Sequence, residues 1–477
     1  MALYFSKKKK AKNKVMKETE ELFKKTFNEP IVKIEKVSAT GSNRYYERII
    51  SKNHSCIAAY NNDLKENKAF ISYAKQLKAN NINVPEIYAE DLENNVYLQQ
   101  DLGDETLFTF LKSHTLQETM PYYIKVMQNL VRIQRIENFD FSYAYPAKAF
   151  DKQSMLWDCN YFKYYFLKFF DIQFDERLLE KDFNTFTDYL LSCPQEYFLY
   201  RDFIPRNIML FNNEPYFIDF QGGRKGSCYY DAASFLFDAK TDLDNTTREE
   251  LLNVFLCESL GSDSTQNSEQ KNYFYAYVYM RLIQTMGAYG FRGVYENKKS
   301  FIKSIPFALK NLKYLSENVD LEAKIPHLEN CFQQIINSQK IIDTVNKNKL
   351  TITVKSFSYK KGYPHDVSGN GGGFVFDCRA LPNPGRETKF KQMTGLDREV
   401  KEYLQQYKEV DYFFANAMNL VQQSIENYLN RGFSNLSVYF GCTGGQHRSV
   451  YLAQKCADIL AQNPDLNVII HHIEQNI

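Results

Sequence analysis

Two sets of residues in this 477-residue chain have types and spacing suited to phosphate chemistry. The first runs from Tyr200-Arg201-Asp202 to Asn207 and resumes at Ile218-Asp219-Phe220. Mg-dependent phosphoryl transfer uses a carboxylate to orient a hydroxyl and accept its proton, and side-chain oxygens to hold the metal against the β- and γ-phosphates. Asp202 has the place of the first group; Asn207 and Asp219 have the places of the metal ligands. Asp and Asn in loops commonly make turns instead. Here the three flank an apolar strand at a spacing that phosphoryl transfer uses, which favours the chemical reading. The second set is continuous: Gly441-Cys442-Thr443-Gly444-Gly445-Gln446-His447-Arg448-Ser449. It follows the strand-like Leu436–Phe440 and opens a helix-like stretch, Val450–Leu460. Glycines at a strand-to-helix turn let N–H groups point inward, the helix N-terminus adds positive potential, and Arg448 adds a fork of donors. That combination cradles a phosphate.

The elements that must position these residues fall into two blocks. Ile31–Val37, Tyr45–Ile50 and Ser55–Tyr60 read as strands, Asp63–Lys78 as a helix and Asn94–Gln100 as another apolar run. Residues 105–336 read as mainly helical, broken near 200–220. A small strand-rich lobe (about 30–100) thus precedes a larger helical one (about 101–337). The polar, Lys/Asn-rich stretch 338–349 reads as a linker after a domain spanning 30–337. From 350 to 477 strands and helices alternate: Leu350–Lys355, Phe374–Cys378, helical Arg398–Arg431, Leu436–Phe440, the glycine turn, a helix, and Val468–His471. The expected fold is an α+β two-lobed domain of the protein-kinase kind. A smaller α/β domain with right-handed crossovers and a phosphate-binding strand-loop-helix follows it. Ser368–Gly373 reads as a mobile loop tip.

Composition narrows the classes. With 59 basic and 57 acidic residues, the formal net charge of +2 does not demand a nucleic-acid partner. The 35 Tyr and 37 Phe read as aromatic-rich cores. Nine Cys without a C-x-x-C pair read as reduced thiols in a cytoplasmic protein. No apolar run reaches the ~18 residues of a membrane span. Lys7–Lys10, Lys12 and Lys14 head a basic segment, 1–29, that has no apolar core for a secretory signal. It reads as a solvated tail, with membrane-surface or RNA contact as the lesser alternative.

Residues 30–335 resemble the aminoglycoside-phosphotransferase-like kinases, and more narrowly the N-acetylmuramate/N-acetylglucosamine anomeric kinases. The resemblance is carried by Gly41-Ser42-Asn43-Arg44-Tyr45-Tyr46-Glu47-Arg48, Val84-Pro85-Glu86-Ile87, Gln100-Asp101-Leu102-Gly103, Arg201 to Asn207 and Asp219-Phe220-Gln221. It implies ATP as substrate, Mg²⁺, and a sugar or amino-sugar hydroxyl as acceptor. It also puts Gly41, Ser42, Asn43, Arg44, Arg48 and Gln100 on the nucleotide side. The chain departs from the wider pattern in three places. Cys56-Ile57-Ala58-Ala59 has no Lys where ordinary kinases set one against the nucleotide phosphates, so Arg44 or Arg48 would supply the charge. Glu66 is either a helix partner for that charge or a solvated face residue. Tyr200 stands where His is usual, and Gln221 replaces a Gly.

The second block resembles the C-terminal domain of the RapZ-type RNase adaptors. It shares Ser356 to Pro364, Phe376-Asp377-Cys378-Arg379, Leu381-Pro382-Asn383-Pro384, Met393 to Asp397 and the Gly441–Val450 run. That family's domain senses glucosamine-6-phosphate and carries RNA binding. The resemblance implies a sugar-phosphate site of Arg379, Cys442, Thr443, Gly444, Gly445, His447, Arg448 and Ser449. The adaptor's nucleotide-binding N-terminal domain is not recognisable here. Its basic tail is also missing, since the chain ends Val468 to Ile477, which weakens the RNA expectation. His471 and His472 are adjacent on a strand and point to opposite faces, so they do not share a metal. Cys442 and Arg448-Ser449 also have the spacing of a tyrosine-phosphatase loop, in which a thiolate attacks phosphorus. No general acid can be placed for that chemistry, and the alternative for Cys442 is a small buried residue beside a tight turn. The expectation is a cytoplasmic sugar kinase joined to a hexosamine-phosphate sensor. Its rivals are a pseudokinase RNA adaptor and a kinase–phosphatase fusion. The oligomeric state, a homo-oligomer included, stays open.

Overall fold

The structure is a computed structural model that describes residues 17–37, 44–260, 268–347, 349–366, 369, 373–431, 433–463 and 465–475. Gly41, Ser42 and Asn43, Lys7 to Lys14 and most of the Ser368–Gly373 tip lie outside the described residues. The chain divides into two compact units, Met1–Phe291 with Ser304–Asn337, and Arg292–Lys303 with Ser338–Ile477.

In the first unit, β1 (Lys33–Val37), β2 (Tyr45–Ile50), β3 (Ser55–Tyr60), β4 (Ile87–Asp91) and β5 (Val96–Gln100) form an antiparallel sheet in the order β1-β2-β3-β5-β4. Alternation sends Ile49, Cys56, Ala58, Val96 and Leu98 to one face, where Leu22 and Phe23 of a helix over 17–27 cover them. That helix lies inside the basic segment 1–29, after the Lys7–Lys14 run that was expected to be a solvated tail and that falls outside the described residues. Leu22, Phe23 and Phe27 make an apolar stripe among the lysines, and burying Phe23 contributes about 1.5–3 kcal/mol. The edge strand β4 is not among the strands expected from the sequence, because its polar Glu90 and Asp91 hide the strand pattern.

The helix Leu64–Ala79 starts where Asp63 accepts the N–H groups of Lys65 and Glu66. It ties the sheet to the large lobe. Phe70 stacks on Phe220 with ring centroids 4.7 Å apart, and the Tyr73 hydroxyl donates to the Gly223 carbonyl at 3.0 Å. In the large lobe, β7 (Ile208–Phe211) and β8 (Glu214–Phe217) form a hairpin turned by Asn212 and Asn213, both at positive φ as a tight hairpin turn requires. β6 (Tyr197–Leu199) pairs with β9 (Arg224–Gly226), and helices supply the rest.

Among the described residues the second unit holds four strands, all parallel: β10 (Leu350–Ser358), β11 (Gly373–Asp377), β12 (Asn435–Cys442) and β13 (Leu466–His472), in the order β11-β12-β10-β13. Parallel strands buried on both faces read as near-continuous apolar runs, and β12 is buried from Leu436 to Cys442. The stretch expected to be a polar linker instead holds the helix Gln339–Lys347, whose Ile341 and Val345 are buried four residues apart. No helix among the described residues is long and apolar enough to cross a membrane.

Candidate functional site

The β7–β8 hairpin sits between the two halves of the first motif and closes them together. Ile218 N–H donates to the Asn207 carbonyl at 3.0 Å, so the residues before and after the hairpin lie side by side. Asn207 Nδ2 then donates both to the Asp202 carbonyl at 2.9 Å and to Asp219 Oδ2 at 3.2 Å. The Asp202 carboxylate is 52 % exposed, with Arg281 Nη2 3.6 Å from its Oδ1. Asp219 has φ +69, a strained position that turns its carboxylate back toward Asn207. Burial raises its pKa and the charge of Asp202 raises it further, while the Gln221 amide and Arg44 oppose both. A divalent cation there would relieve the repulsion.

Two buried networks hold this loop. Asp231, fully buried in the helix Tyr229–Leu236, accepts the backbone N–H groups of Tyr200 at 2.6 Å and Arg201 at 2.9 Å. Burial pushes its carboxyl up to about 7, against those two hydrogen bonds. Arg201, at φ +83, pairs with Asp158 at 2.7 Å and lies over the Phe150 ring at 4.5 Å. Of the arginines proposed for the nucleotide, Arg44 pairs with Glu66 at 3.0 Å and lies 3.9 Å from Asp219. Arg48 is held by Asp101 at 2.8 Å and Asp104 at 2.9 Å. Gln100 ends β5, where its side-chain carbonyl accepts the Glu86 N–H.

In the second unit the glycine run leaves the carboxyl end of β12 and enters the helix Arg448–Leu460, the place where open parallel sheets hold ligands. Gly445, at φ +66, packs against β10 so closely that an added Cβ would lie 3.0 Å from the Ser358 nitrogen. Gly444 meets open space, and Thr443 is exposed beside it. Arg448 is 5 % exposed; its Nη1 donates to the carbonyls of Arg379 at 2.7 Å and Leu381 at 3.0 Å. Its Nε is buried and has no hydrogen-bond partner among the described residues. Cys442 Sγ and Ser449 Oγ share a hydrogen bond at 3.1 Å. Burial pushes the thiol up, but Ser449 and the Arg448 charge outweigh it, leaving Cys442 below the ordinary thiol value.

Residues 33–263 match the model of the phosphotransferase enzyme family, and residues 350–476 match that of the RapZ C-terminal domain. The chain joins a phosphotransferase-family domain to a RapZ C-terminal domain. It is also 39 % identical over 132 residues to a nucleotide-binding protein of Staphylococcus haemolyticus, covering 28 % of this chain and 42 % of that one. A nucleotide-binding protein of Staphylococcus aureus is 39 % identical over 127 residues, with 27 % and 40 % covered. The chain thus spans about two fifths of the length of these curated relatives. Among solved structures, an ethanolamine kinase of Plasmodium vivax is similar at a TM-score of 0.46 and 14 % identity, over 58 % of this chain and 81 % of that one. An ADP-bound aminoglycoside phosphotransferase is similar at 0.44 and 13 %, over 61 % and 96 %.

Within the phosphotransferase domain, the structure brings Asp202, Asn207 and Asp219 together and sets Arg44, but not Arg48, beside them. Sequence reasoning missed Asp231, Asp158 and Arg281. The one available signal was Asp231 as a lone acid in the apolar run Tyr229–Leu236. Within the RapZ C-terminal domain, Arg448 and Ser449 flank the Cys442 thiol, whereas two expected ligands are engaged elsewhere. His447 is buried with Nε2 2.9 Å from the Phe390 carbonyl, and Arg379 folds back on Asp377 at 2.7 Å over the Tyr359 ring.

Proposed function

We propose that the phosphotransferase domain transfers a phosphoryl group from ATP, with Mg²⁺, to a hydroxyl of a sugar or amino sugar. The RapZ C-terminal domain would bind a hexosamine phosphate as a sensor, in a cytoplasmic protein of amino-sugar salvage. The observation that supports the catalytic half is the Asn207 amide joining the Asp202 backbone to the Asp219 carboxylate, while the Asp202 carboxylate faces solvent. Asp202 would accept the proton of the attacking hydroxyl, with Asp231 and the Asp219–Asn207 pair keeping its loop in place. A carboxylate beside an amide suits a hard cation, so Asp219 and Asn207 would hold Mg²⁺, which neutralises phosphate charge when bound. In the sensor, Arg448 Nε and the N–H groups at the helix start would hold a phosphate dianion. The Ser449 contact and the lowered thiol of Cys442 favour a second reading, a cysteine phosphatase.

The test is ADP release by the purified chain with Mg²⁺·ATP and a panel of hexoses, hexosamines and their N-acetyl forms. Acceptor-dependent ADP release with a phosphorylated sugar as product is the expected result. No stimulation by any of these sugars would reject the sugar-kinase reading. A trapped phosphocysteine on Cys442 would replace the sensor by the phosphatase.

A further inference from the structure

We propose that Arg281 is a catalytic residue that meets the oxygens of the phosphoryl group as it passes from the nucleotide to the acceptor beside Asp202. The inference rests on the phosphotransferase reading above. In that reaction the acceptor oxygen forms a bond to the γ-phosphorus while the bond from that phosphorus to the β–γ bridging oxygen breaks. The hydroxyl proton goes to Asp202, and ADP leaves with the bridging oxygen. In a loose transition state of this kind negative charge spreads over the three equatorial phosphoryl oxygens, and a cation already fixed beside them lowers the barrier. The loop itself offers no such donor directly after Asp202, because Phe203 and Ile204 are apolar and buried.

Arg281 lies on the long helix Ser268–Ala288, and its side chain is 12 % exposed. Its Nη1 is spent on neutral oxygens, Gln284 Oε1 at 2.7 Å and the Tyr230 hydroxyl at 3.3 Å. Gln284 belongs to the same helix and Tyr230 is fully buried, so the two hold the guanidinium plane in place. Nη2 makes no hydrogen bond among the described residues and still reaches solvent. It stands 3.6 Å from Asp202 Oδ1, too far for a hydrogen bond. No other carboxylate among the described residues comes within ion-pair distance of Arg281. A largely buried guanidinium whose hydrogen bonds go to neutral groups is costly until an anion arrives. Arg201 makes the contrast: it shares the Tyr230 hydroxyl, at 2.9 Å, but Asp158 pairs with it at 2.7 Å. Position decides which anion Arg281 awaits. A hydroxyl that gives its proton to Asp202 lies about 2.6–3.2 Å from the carboxylate, and the phosphorus it attacks about 3–3.5 Å further on. A donor 3.6 Å from the same carboxylate reaches the oxygens on that phosphorus directly, whereas Asn207 and Asp219 would serve them through the metal.

Calorimetry on the full chain separates this from a structural role. Wild type, Arg281→Gln and Arg281→Lys are titrated with Mg²⁺·ADP alone and with Mg²⁺·ADP plus aluminium fluoride, a flat stand-in for the phosphoryl group in flight, after circular dichroism confirms each fold. Arg281→Gln is expected to leave Mg²⁺·ADP within about 2-fold of wild type and to weaken the aluminium fluoride complex by about 10- to 100-fold. Arg281→Lys keeps the charge without the fork and should recover only part of the loss. If Arg281→Gln does not fold, the lysine variant carries the same contrast. Equal affinity of wild type and variants for the aluminium fluoride complex overturns the assignment and leaves Arg281 as a group that only tunes Asp202. An equal loss in both titrations overturns it as well, marking Arg281 as a structural residue. A wild-type chain that binds Mg²⁺·ADP no tighter with aluminium fluoride removes this inference alone; one that binds no Mg²⁺·ADP removes the phosphotransferase reading with it.

Discussion

The acidic cleft proposed for the phosphotransferase domain and the loop proposed as a cradle in the RapZ C-terminal domain are built in opposite ways. The cleft collects side chains from Arg44, Glu66, Asp202, Asn207, Asp219 and Arg281, with Asp231 behind them, and its exposed charge is acidic. The cradle takes its donors from nine consecutive residues, Gly441 to Ser449, and much of its shape from backbone at a helix N-terminus. An acidic cleft needs a metal before it can hold phosphate; a cationic loop needs none. Loss of one carboxylate from the cleft should therefore stop chemistry without changing shape. In the cradle, the loop and the arginine share the work, and single losses should be milder.

The sharpest break of that contrast is Asp202→Ala. It is expected to lower turnover by about 10²- to 10⁴-fold while nucleotide binding persists, because only the proton acceptor is gone. Wild-type turnover in that variant would end the kinase assignment of the loop.

Second in size is the support behind it. Asp231→Ala leaves two buried N–H groups, of Tyr200 and Arg201, without an acceptor, at a cost of about 2–5 kcal/mol in unfolding free energy. Its pH dependence has a definite sign. The folded pKa of about 7 lies above the ordinary carboxylate value, so folding takes up a proton between the two. The contribution of this group is full below the unfolded pKa and declines as pH rises through about 7. Denaturant unfolding of wild type and Asp231→Asn across that window checks it, since the variant should lose this part of the slope. Parallel stability curves would count against a raised Asp231.

The same contrast explains what was legible in the sequence. Asp202, Asn207 and Asp219 lie in short motifs around one hairpin, so their convergence follows from local order. Asp231 acts on backbone N–H groups thirty residues away, and Arg281 reaches Asp202 across nearly eighty; neither leaves a spacing to read. The positive φ of Arg201 and Asp219 is likewise invisible, because Arg and Asp seldom announce it as Gly does. In the cradle the glycines do announce the loop. What they hide is where side chains turn: His447 meets the Phe390 carbonyl and Arg379 pairs with Asp377, partners that no local spacing reveals. The helix over 17–27 was masked by its own lysines, and the helix Gln339–Lys347 by its polar exposed face.

Within the cradle, Arg448→Ala should weaken binding of glucosamine-6-phosphate to the full chain by roughly 10- to 150-fold. That is about 1.5–3 kcal/mol for one charge-assisted pair. Calorimetry decides it, and equal affinity for wild type and variant would refute the phosphate reading of the loop.

The smallest effect belongs to Cys442, and it is the one that sharpens the difference between a binding loop and a reactive one. Cys442→Ser keeps a small hydrogen-bonding group opposite Ser449, so glucosamine-6-phosphate affinity near about pH 7 should stay within about 3-fold of wild type. The difference should appear as pH rises. Burial opposes ionisation of the thiol, but Ser449 and Arg448 draw it below the ordinary value of 9.0, so the thiolate forms earlier than in a free cysteine. A thiolate at the floor of the cradle repels a phosphate that is already a dianion above its second pKa of about 6. Wild-type affinity should therefore fall as pH rises toward 9.0, while the serine variant stays level over the same range. A matching fall in both proteins would show that Cys442 remains a neutral thiol and that the loop discriminates by Arg448 and backbone alone.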